Sequence, residues 1–407
     1  MKRILNIVLL IFVFSACGKV TNPAVTITIQ SPPIATQEPT KIPTLESTDL
    51  PEPISTQQAT IQEITSPNFS VGSQNFGSTV SFGKIGIADF DMDGDFDIFF
   101  PNYRNEPKLW FNDENREFTK SGQYFGLGTS ETHDIGIADL NGDSYPDIFT
   151  VSHNDANRVF FNDGTGIFTE SEQEISEDGN PIWILLGDVD VDGDVDAIIM
   201  YSRPPNFLWL NDGNGVFTRT DSANVIGSGK RMYLADFNGD NFPDLFYIKD
   251  DATPGDVWFN DGAGSFAKSG QEIGTDFGAY GIATGDIDRD GDQDIISSSA
   301  LSDHFLVWIN QDGLGSFPEY KSYYQPMVGY TRLFDADLDG DLDYLAALRQ
   351  GGCKLWVNDG EGVFTETDTD LGNNIVTSFG VADFDADGDN DIVFGFEDSG
   401  NRIYWNE

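Results

Sequence analysis

DFDMDGDFD, residues 89–97, places five aspartates in nine positions directly before the apolar run Ile98-Phe99-Phe100. Carboxylates packed this closely repel one another, so a chain that buries the residues behind them needs a compensating charge. The stretch is not isolated. Related nonapeptides begin at 139 (DLNGDSYPD), 188 (DVDVDGDVD), 236 (DFNGDNFPD), 286 (DIDRDGDQD), 335 (DADLDGDLD) and 383 (DFDADGDND), 48 to 50 residues apart. A regular period of this size marks a repeat architecture.

The rest of each unit keeps the same register. A segment such as IGIAD (85–89 and 135–139) leads into the acids, and an apolar run such as DIFF, DIFTV or DLFYI leaves them. An aromatic segment and a turn follow, as in VFFNDGTGIFT, LWLNDGNGVFT and LWVNDGEGVFT. Asn-Asp-Gly-x-Gly between two apolar runs is a strong hairpin signal. Each unit thus reads as four short strands, and no amphipathic helical pattern follows residue 68. Four strands in nearly 50 residues is the size of one propeller blade, so the expected fold is all-β: a seven-bladed β-propeller of four-stranded antiparallel blades. The last unit stops at Tyr404-Trp405-Asn406-Glu407, short of its final strand, while Asn68-Phe69-Ser70 stands where other units carry Phe-Thr. An N-terminal strand is therefore predicted to complete the last blade and leave no open edge. The alternative, an open solenoid, wants distinct caps, and none is visible.

Aspartates at positions 1, 3, 5 and 9 of a tight loop, with the backbone carbonyl of position 7, set oxygens around one point, as Ca²⁺ requires with its 6–8 oxygen ligands. Mg²⁺ fits less well because it keeps waters and strict octahedral geometry. The candidate ligands of the first loop are Asp89, Asp91, Asp93, Asp95 and Asp97; of the second, Asp139, Asn141, Asp143, Tyr145 and Asp147. The third loop offers Asp188, Asp190, Asp192, Asp194 and Asp196, and the fourth Asp236, Asn238, Asp240, Phe242 and Asp244. In the fifth stand Asp286, Asp288, Asp290, Asp292 and Asp294, and in the sixth Asp335, Asp337, Asp339, Asp341 and Asp343. The seventh carries Asp383, Asp385, Asp387, Asp389 and Asp391. An EF-hand would need Glu at position 12, where these loops have Phe100, Thr150, Ile199, Tyr247, Ser297, Ala346 and Phe394. Glycine at position 6 is expected to make the bend. Loops 2 and 4 have Ser144 and Asn241 there and three acids instead of five, so they are expected to bind more weakly. The seven loops hold 31 of the 68 acidic residues, and up to seven Ca²⁺ would offset part of a formal charge of −46. A solvated acidic turn is the plainer reading, and seven copies at one spacing weigh against it.

Repeats of the form G-x-A-D-x-[DN]-x-D-G-D-x-x-D-[IL] resemble the FG-GAP/VCBS repeats of integrin α chains and of many bacterial surface proteins. Phe-Gly pairs precede several loops (Phe82-Gly83, Phe277-Gly278, Phe379-Gly380). The resemblance covers residues 69–407 and implies a seven-bladed propeller with Ca²⁺ in the first inter-strand loop of each blade. Its bearing on function is weaker, because a fold hosts many functions.

At the other end, Lys2-Arg3 precedes an apolar stretch from Ile4 to Phe14, too short to span a bilayer but suited to a secretory signal. Phe14-Ser15-Ala16-Cys17 resembles the lipobox of bacterial lipoproteins, which implies a signal peptide at 1–16 and lipidation of Cys17. Ordinary signal cleavage beside an incidental cysteine is the alternative. Residues 17–67 are rich in Pro, Thr and Ser and read as an extended tether; 68–407 is the propeller. The expected product is an exported lipoprotein, held to a bacterial membrane by its lipid and facing the cell surface or periplasm. Cys353 is the only other cysteine, so no internal disulfide is expected.

The face opposite the acidic loops carries the segments that differ between units. They supply Arg104, His133, His153, Trp183, Arg203, Arg231, Tyr280, His304 and Tyr330 as candidate ligand contacts. Aromatic and basic groups together suit an anionic glycan or a protein loop. The expected function is a monomeric surface binding or adhesion module without catalysis. A lyase-like, polysaccharide-processing enzyme is the alternative, with a histidine as base beside Arg203 or Arg231, although no compact catalytic motif exists. A nucleic-acid partner is not expected at this net charge.

Overall fold

The computed structural model describes residues 66–407 apart from 78–82, 103–105, 114–115, 126–130, 154, 176–178, 204, 221–230, 249–252, 275–280, 299–302, 327 and 398. The signal segment, Cys17 and all but the last residues of the tether lie outside the described residues, as do Arg104 and Tyr280.

Among the described residues twenty-eight strands form seven four-stranded antiparallel sheets, and there is no helix. Blades are numbered here by the order of their acidic loops. Blade 1 runs Gly86–Ala88, Asp97–Phe100, Lys108–Asn112, Phe118–Lys120, from the ring axis outward. The acidic loop joins the first strand to the second, and the Asn-Asp hairpin joins the third to the fourth, so both lie at one end of the sheet. Blade 7 takes its outer strand from the N-terminal side: Phe69 pairs with Asn406. The same pairing occurs within blade 1 as Asn112 with Phe118, and within blade 2 as Asn162 with Phe168. The N-terminal strand thus occupies the place of the absent Phe-Thr strand.

Second strands such as Asp97–Phe100 and Asp196–Tyr201 are buried at every position, because both faces of a blade are covered by neighbours. That is why these runs are continuously apolar rather than alternating. Outer strands such as Phe118–Lys120 bury only the first residue. Seven apolar clusters hold the blades together, and each is shared by two adjacent blades. One joins Phe90 and Phe99 of blade 1 to Ile148 and Phe160 of blade 2; another joins Phe100 and Phe118 of blade 1 to Phe384 and Trp405 of blade 7, which closes the ring. Each fully buried phenylalanine contributes about 1.5–3 kcal/mol of transfer free energy. Cys353 is a free thiol at the start of strand Cys353–Val357, buried in the blade 6–7 cluster. Burial pushes its pKa up.

Four first strands carry a β-bulge at their outset. The register slips at His133 in blade 2, Ile182 in blade 3, Gly329 in blade 6 and Thr377 in blade 7. In each blade that residue stands six positions before the first aspartate of its loop. A bulge re-aims the side chains around it, and here it does so on the face opposite the acids.

Candidate functional site

Each acidic loop is built on its own carboxylates. In loop 1, Asp89 accepts the backbone N–H of Asp93 (3.1 Å) and Gly94 (3.0 Å), and Asp93 accepts that of Asp95 (3.1 Å). Asp97 accepts the N–H of Phe90 and of Asn112, both at 2.8 Å. This last pattern recurs in all seven units at Asp147, Asp196, Asp244, Asp294, Asp343 and Asp391. Position 9 is thus a structural clamp before it is anything else. A carboxylate offers about four lone-pair sites, so two bonds leave acceptor capacity for a cation.

The geometry gathers the acids. Ligand atoms of Asp89, Asp91 and Asp97 lie within 4.8 Å of one another, as do those of Asp188, Asp190 and Asp196, of Asp286, Asp288 and Asp290, and of Asp335, Asp337 and Asp339. Four position-7 side chains turn elsewhere: Tyr145, Asp194, Phe242 and Asp292 lie over the first glycine of their own hairpins (Gly164, Gly213, Gly262, Gly313), too close to admit a Cβ there. Any contribution from those positions comes through the backbone.

The bend is made at two residues rather than one. Position 4 is left-handed at Met92, Val191, Arg289, Leu338 and Ala386 (φ 58–62°), with left-handed glycine at position 6. Loops 2 and 4 exchange the roles: glycine sits at position 4 (Gly142, Gly239), and Ser144 (φ 70°) and Asn241 (φ 66°) are left-handed at position 6. The expectation that glycine at position 6 alone makes the turn is therefore incomplete, and Ser144 holds the same bend as its counterparts.

The two kinds of loop differ in what they leave unsatisfied. Oδ1 of Asp91, Asp190, Asp288, Asp337 and Asp385, all position 3, is buried and accepts no hydrogen bond. In loops 2 and 4 the single side-chain oxygens of Asn141 and Asn238 each accept a backbone N–H at 3.0 Å, from Asp143 and Asp240, and leave no second oxygen bare. Buried carboxylate oxygens without donors are costly unless a cation meets them. Burial, followed by neighbouring carboxylates, raises the pKa of Asp91, Asp190, Asp288 and Asp337. Burial also raises position 9, to about 7 at Asp97, Asp294, Asp343 and Asp391 and about 6 at Asp147, Asp196 and Asp244, against the lowering effect of the two N–H donors. An all-oxygen, carboxylate-rich donor set of this kind fits Ca²⁺.

Among the candidates on the opposite face, three come together. Trp183, Arg231 and Tyr330, from the first strands of blades 3, 4 and 6, line a cavity of about 400 Å³ with Lys84 and Arg332. The Arg231 guanidinium stands 5.3 Å from the Trp183 ring and 5.4 Å from the Tyr330 ring, and Lys84 Nζ is 5.1 Å from Trp183. Lys84 Nζ also donates to Ile184 O (2.8 Å) and lies 3.4 Å from buried Asp134. Lys84, Tyr233 and Arg332 also line a second chamber of about 380 Å³, walled by Ile85, Ile87, Ile135 and Leu185. Arg332 is open to water within the channel yet encircled by protein, and desolvation lowers its pKa. Among the described residues no carboxylate forms an ion pair with it. An arginine nevertheless stays charged.

A family model for the FG-GAP-like repeat matches residues 89–150, 139–199, 188–247, 236–297 and 335–394. This chain belongs to the FG-GAP-like repeat family. No curated protein sequence matches it. Among solved structures, the chain is similar to BBS1N, crystallised in complex with ARL6DN and soaked with mercury (10% identity, 84% of this chain and 98% of that one, TM-score 0.59). It is also similar to YCF48 from Cyanidioschyzon merolae (11% identity, 83% and 98%, TM-score 0.52). At these identities the likeness is one of fold.

The remaining candidates of this FG-GAP propeller lie outside that cavity. His133 and His153 meet at the end of blade 2, His153 Nδ1 lying 3.3 Å from His133 Nε2. His304 stands on the third strand of blade 5, opposite Tyr324, and Arg203 is exposed beyond the second strand of blade 3. One functional residue type was missed in the sequence: the Asn of the Asn-Asp turn. In all seven FG-GAP units its Nδ2 donates to the position-2 carbonyl of the preceding blade, from Asn112 to Phe384 O through Asn406 to Ala336 O. Its invariance across the seven units was the available signal.

Proposed function

We propose that this chain is a calcium-stiffened FG-GAP propeller that captures an anionic ligand at the mouth of its central channel. Ca²⁺ would be held by the carboxylates of positions 1, 3, 5 and 9 and the position-7 carbonyl, and would supply the charge that the buried acids lack. The five-acid loops are the principal sites, because they alone bury position-3 carboxylate oxygens without donors. At free Ca²⁺ about ten- to a hundredfold above Kd, each site adds roughly 1.4–2.7 kcal/mol of stability. The resulting rigidity holds seven first strands in fixed register around the channel.

The observation that carries the ligand reading is the setting of Arg231 between Trp183 and Tyr330, beside Lys84 and Arg332, in a molecule of formal charge −46. Cations that converge inside an acidic protein favour an anion, and aromatic faces favour a sugar ring or a planar group. A carboxylate-bearing glycan meets both requirements. BBS1N, a structure of similar fold, is in complex with ARL6DN, so a protein ligand is the second reading. Display outside a bacterial cell, through a lipid on Cys17 and the tether 17–67, accords with the acidic, calcium-dependent design. Calorimetry with uronate oligosaccharides and their carboxyl-reduced counterparts tests the reading. Binding that needs the carboxylate and falls at least tenfold in Arg231→Ala and Arg332→Ala supports it; equal binding of the neutral sugars, or none of either, sinks it. Release of unsaturated product from intact polysaccharide would favour a lyase instead.

A further inference from the structure

Among the described residues, blade 2 brings two histidines and a glutamate together at its end opposite the acidic loop. Its first strand, Glu131–Ala138, begins two residues before the bulge at His133, and its second strand ends at His153. Glu131 pairs directly with His153 across the sheet. The ladder skips His133 at the bulge, which turns it beside that pair. As a result, one ligand atom from each of Glu131, His133 and His153 lies within 4.8 Å of the others. The two imidazoles are inclined by 31°, with ring centroids 5.2 Å apart.

His153 Nδ1 and His133 Nε2 are 3.3 Å apart. Two nitrogens each about 2.0–2.1 Å from a tetrahedral Zn²⁺ stand about 3.3–3.4 Å from one another. An imidazole–imidazole hydrogen bond spans the same distance, so it is the third donor, Glu131, within reach of both rings that favours a metal. Two histidines and a glutamate also form a donor set that hard Ca²⁺ does not favour and that Zn²⁺ and its neighbours do.

We propose that Glu131, His133 and His153 form a second, chemically distinct metal site, selective for a borderline divalent ion such as Zn²⁺. Three protein ligands leave a fourth position for water or for a ligand atom. The site clips the bulged start of the first strand to the end of the second. It lies next to Asp134, which accepts the backbone N–H of Lys84 and of Ile184, both at 3.0 Å, and so holds blades 1 to 3 together at the channel. The proposal is independent of the anionic-ligand reading.

Untagged full-length protein, stripped with EDTA and returned to millimolar Ca²⁺, is titrated with Co²⁺ as a spectroscopic substitute and then with Zn²⁺. One equivalent of Co²⁺ is expected to give the visible absorption of a four-coordinate site, displaced by Zn²⁺ and not by further Ca²⁺. His153→Ala and His133→Ala are expected to lose it, and Glu131→Gln to weaken binding by about tenfold or more. X-ray absorption of the wild-type Zn²⁺ form is expected to show two imidazole nitrogens. It keeps the test decisive even where a variant fails to fold. An all-oxygen shell, which would place the metal in the acidic loops, overturns the proposal; so does unchanged Co²⁺ absorption in a folded His153→Ala protein, or no uptake beyond Ca²⁺.

Discussion

Asn112 Nδ2 donates to Phe384 O at 2.6 Å, across 272 residues of sequence, and so ties the first blade to the last. The tie is one link of a relay. The backbone N–H of Phe384 is held by Asp391, and the backbone N–H of Asn112 by Asp97. The same three-residue linkage joins each other pair of neighbours, so ring closure uses the same chemistry as every internal junction. Asn112→Ala leaves a buried carbonyl unsatisfied and is expected to destabilise the protein by about 1–3 kcal/mol. Asn260→Ala, which removes the bond to Val189 O, is expected to do the same. Equal shifts in chemical denaturation are the expected result; a neutral Asn112→Ala beside a damaging Asn260→Ala means that the ring is not closed in this way.

The repeat made the fold legible. Seven acidic loops at a fixed spacing gave the blade number, and the truncated last unit gave the strand exchange that pairs Phe69 with Asn406. The acidic loops were legible to the level of which residues cluster. Hidden from the sequence was the division of labour inside them: the position-9 aspartates spend two lone pairs on backbone N–H groups, and the left-handed position 4 tolerates Met92 or Val191 without any glycine signal. The channel site was only half legible. Trp183, Arg231 and Tyr330 come from units about 50 and 100 residues apart, and convergence of that kind depends on ring closure rather than local pattern. His133 was visible as a histidine, but its approach to His153 depends on a bulge that no local residue preference announces.

Ca²⁺ stoichiometry follows from the contrast between the loop types. Loops 1, 3, 5, 6 and 7 bury donor-less position-3 oxygens, whereas Asn141 and Asn238 are satisfied by their own backbone. Calorimetric titration is expected to resolve about five tighter sites and two weaker ones. Asn141→Asp is expected to strengthen the second site. Seven equivalent sites would contradict the assignment of loops 2 and 4.

The position-9 carboxyls set the pH dependence of the metal-free protein. Burial holds Asp97, Asp294, Asp343 and Asp391 at about 7, against 3.8 for an unperturbed aspartate. The folded chain therefore binds more protons than the unfolded chain between those values. Their contribution to stability is full below about pH 4 and is lost as pH rises through about 7. In EGTA the melting temperature is expected to fall over that interval. In millimolar Ca²⁺ the sign reverses, because the metal requires ionised carboxylates. Parallel melts across pH 4–8 in the two buffers check both slopes.

Val191 is β-branched, exposed, and left-handed at φ 61°. That backbone state costs roughly 1–2 kcal/mol for an L-residue, and glycine avoids it at an entropic cost of about 0.5–1 kcal/mol. Val191→Gly is therefore expected to stabilise the calcium-bound protein by up to about 1 kcal/mol, read as a raised melting temperature. A loss of stability would show that the loop holds Val191 for a reason other than its backbone.

Arg116 occupies the place in blade 1 where other hairpins carry their second glycine, and its guanidinium reaches across to the seventh acidic loop. It pairs with Asp385 and with Asp387 (3.6 Å), bonds Glu407 (3.1 Å) and covers the Trp405 ring at 4.9 Å. An internal cation on two candidate ligands competes with a metal for the same carboxylates. Arg116→Ala is expected to raise Ca²⁺ affinity at that loop by roughly two- to fivefold, the worth of a part-exposed ion pair, while it lowers stability in EGTA. Arg289, at position 4 of the fifth loop, lies 3.2 Å from Asp341 of the sixth and makes a comparable contact between blades 5 and 6, so Arg289→Ala is expected to act the same way there. Calcium titrations of the two variants decide the matter: weaker binding in both would mean that these arginines shape the loops for the metal instead of opposing it.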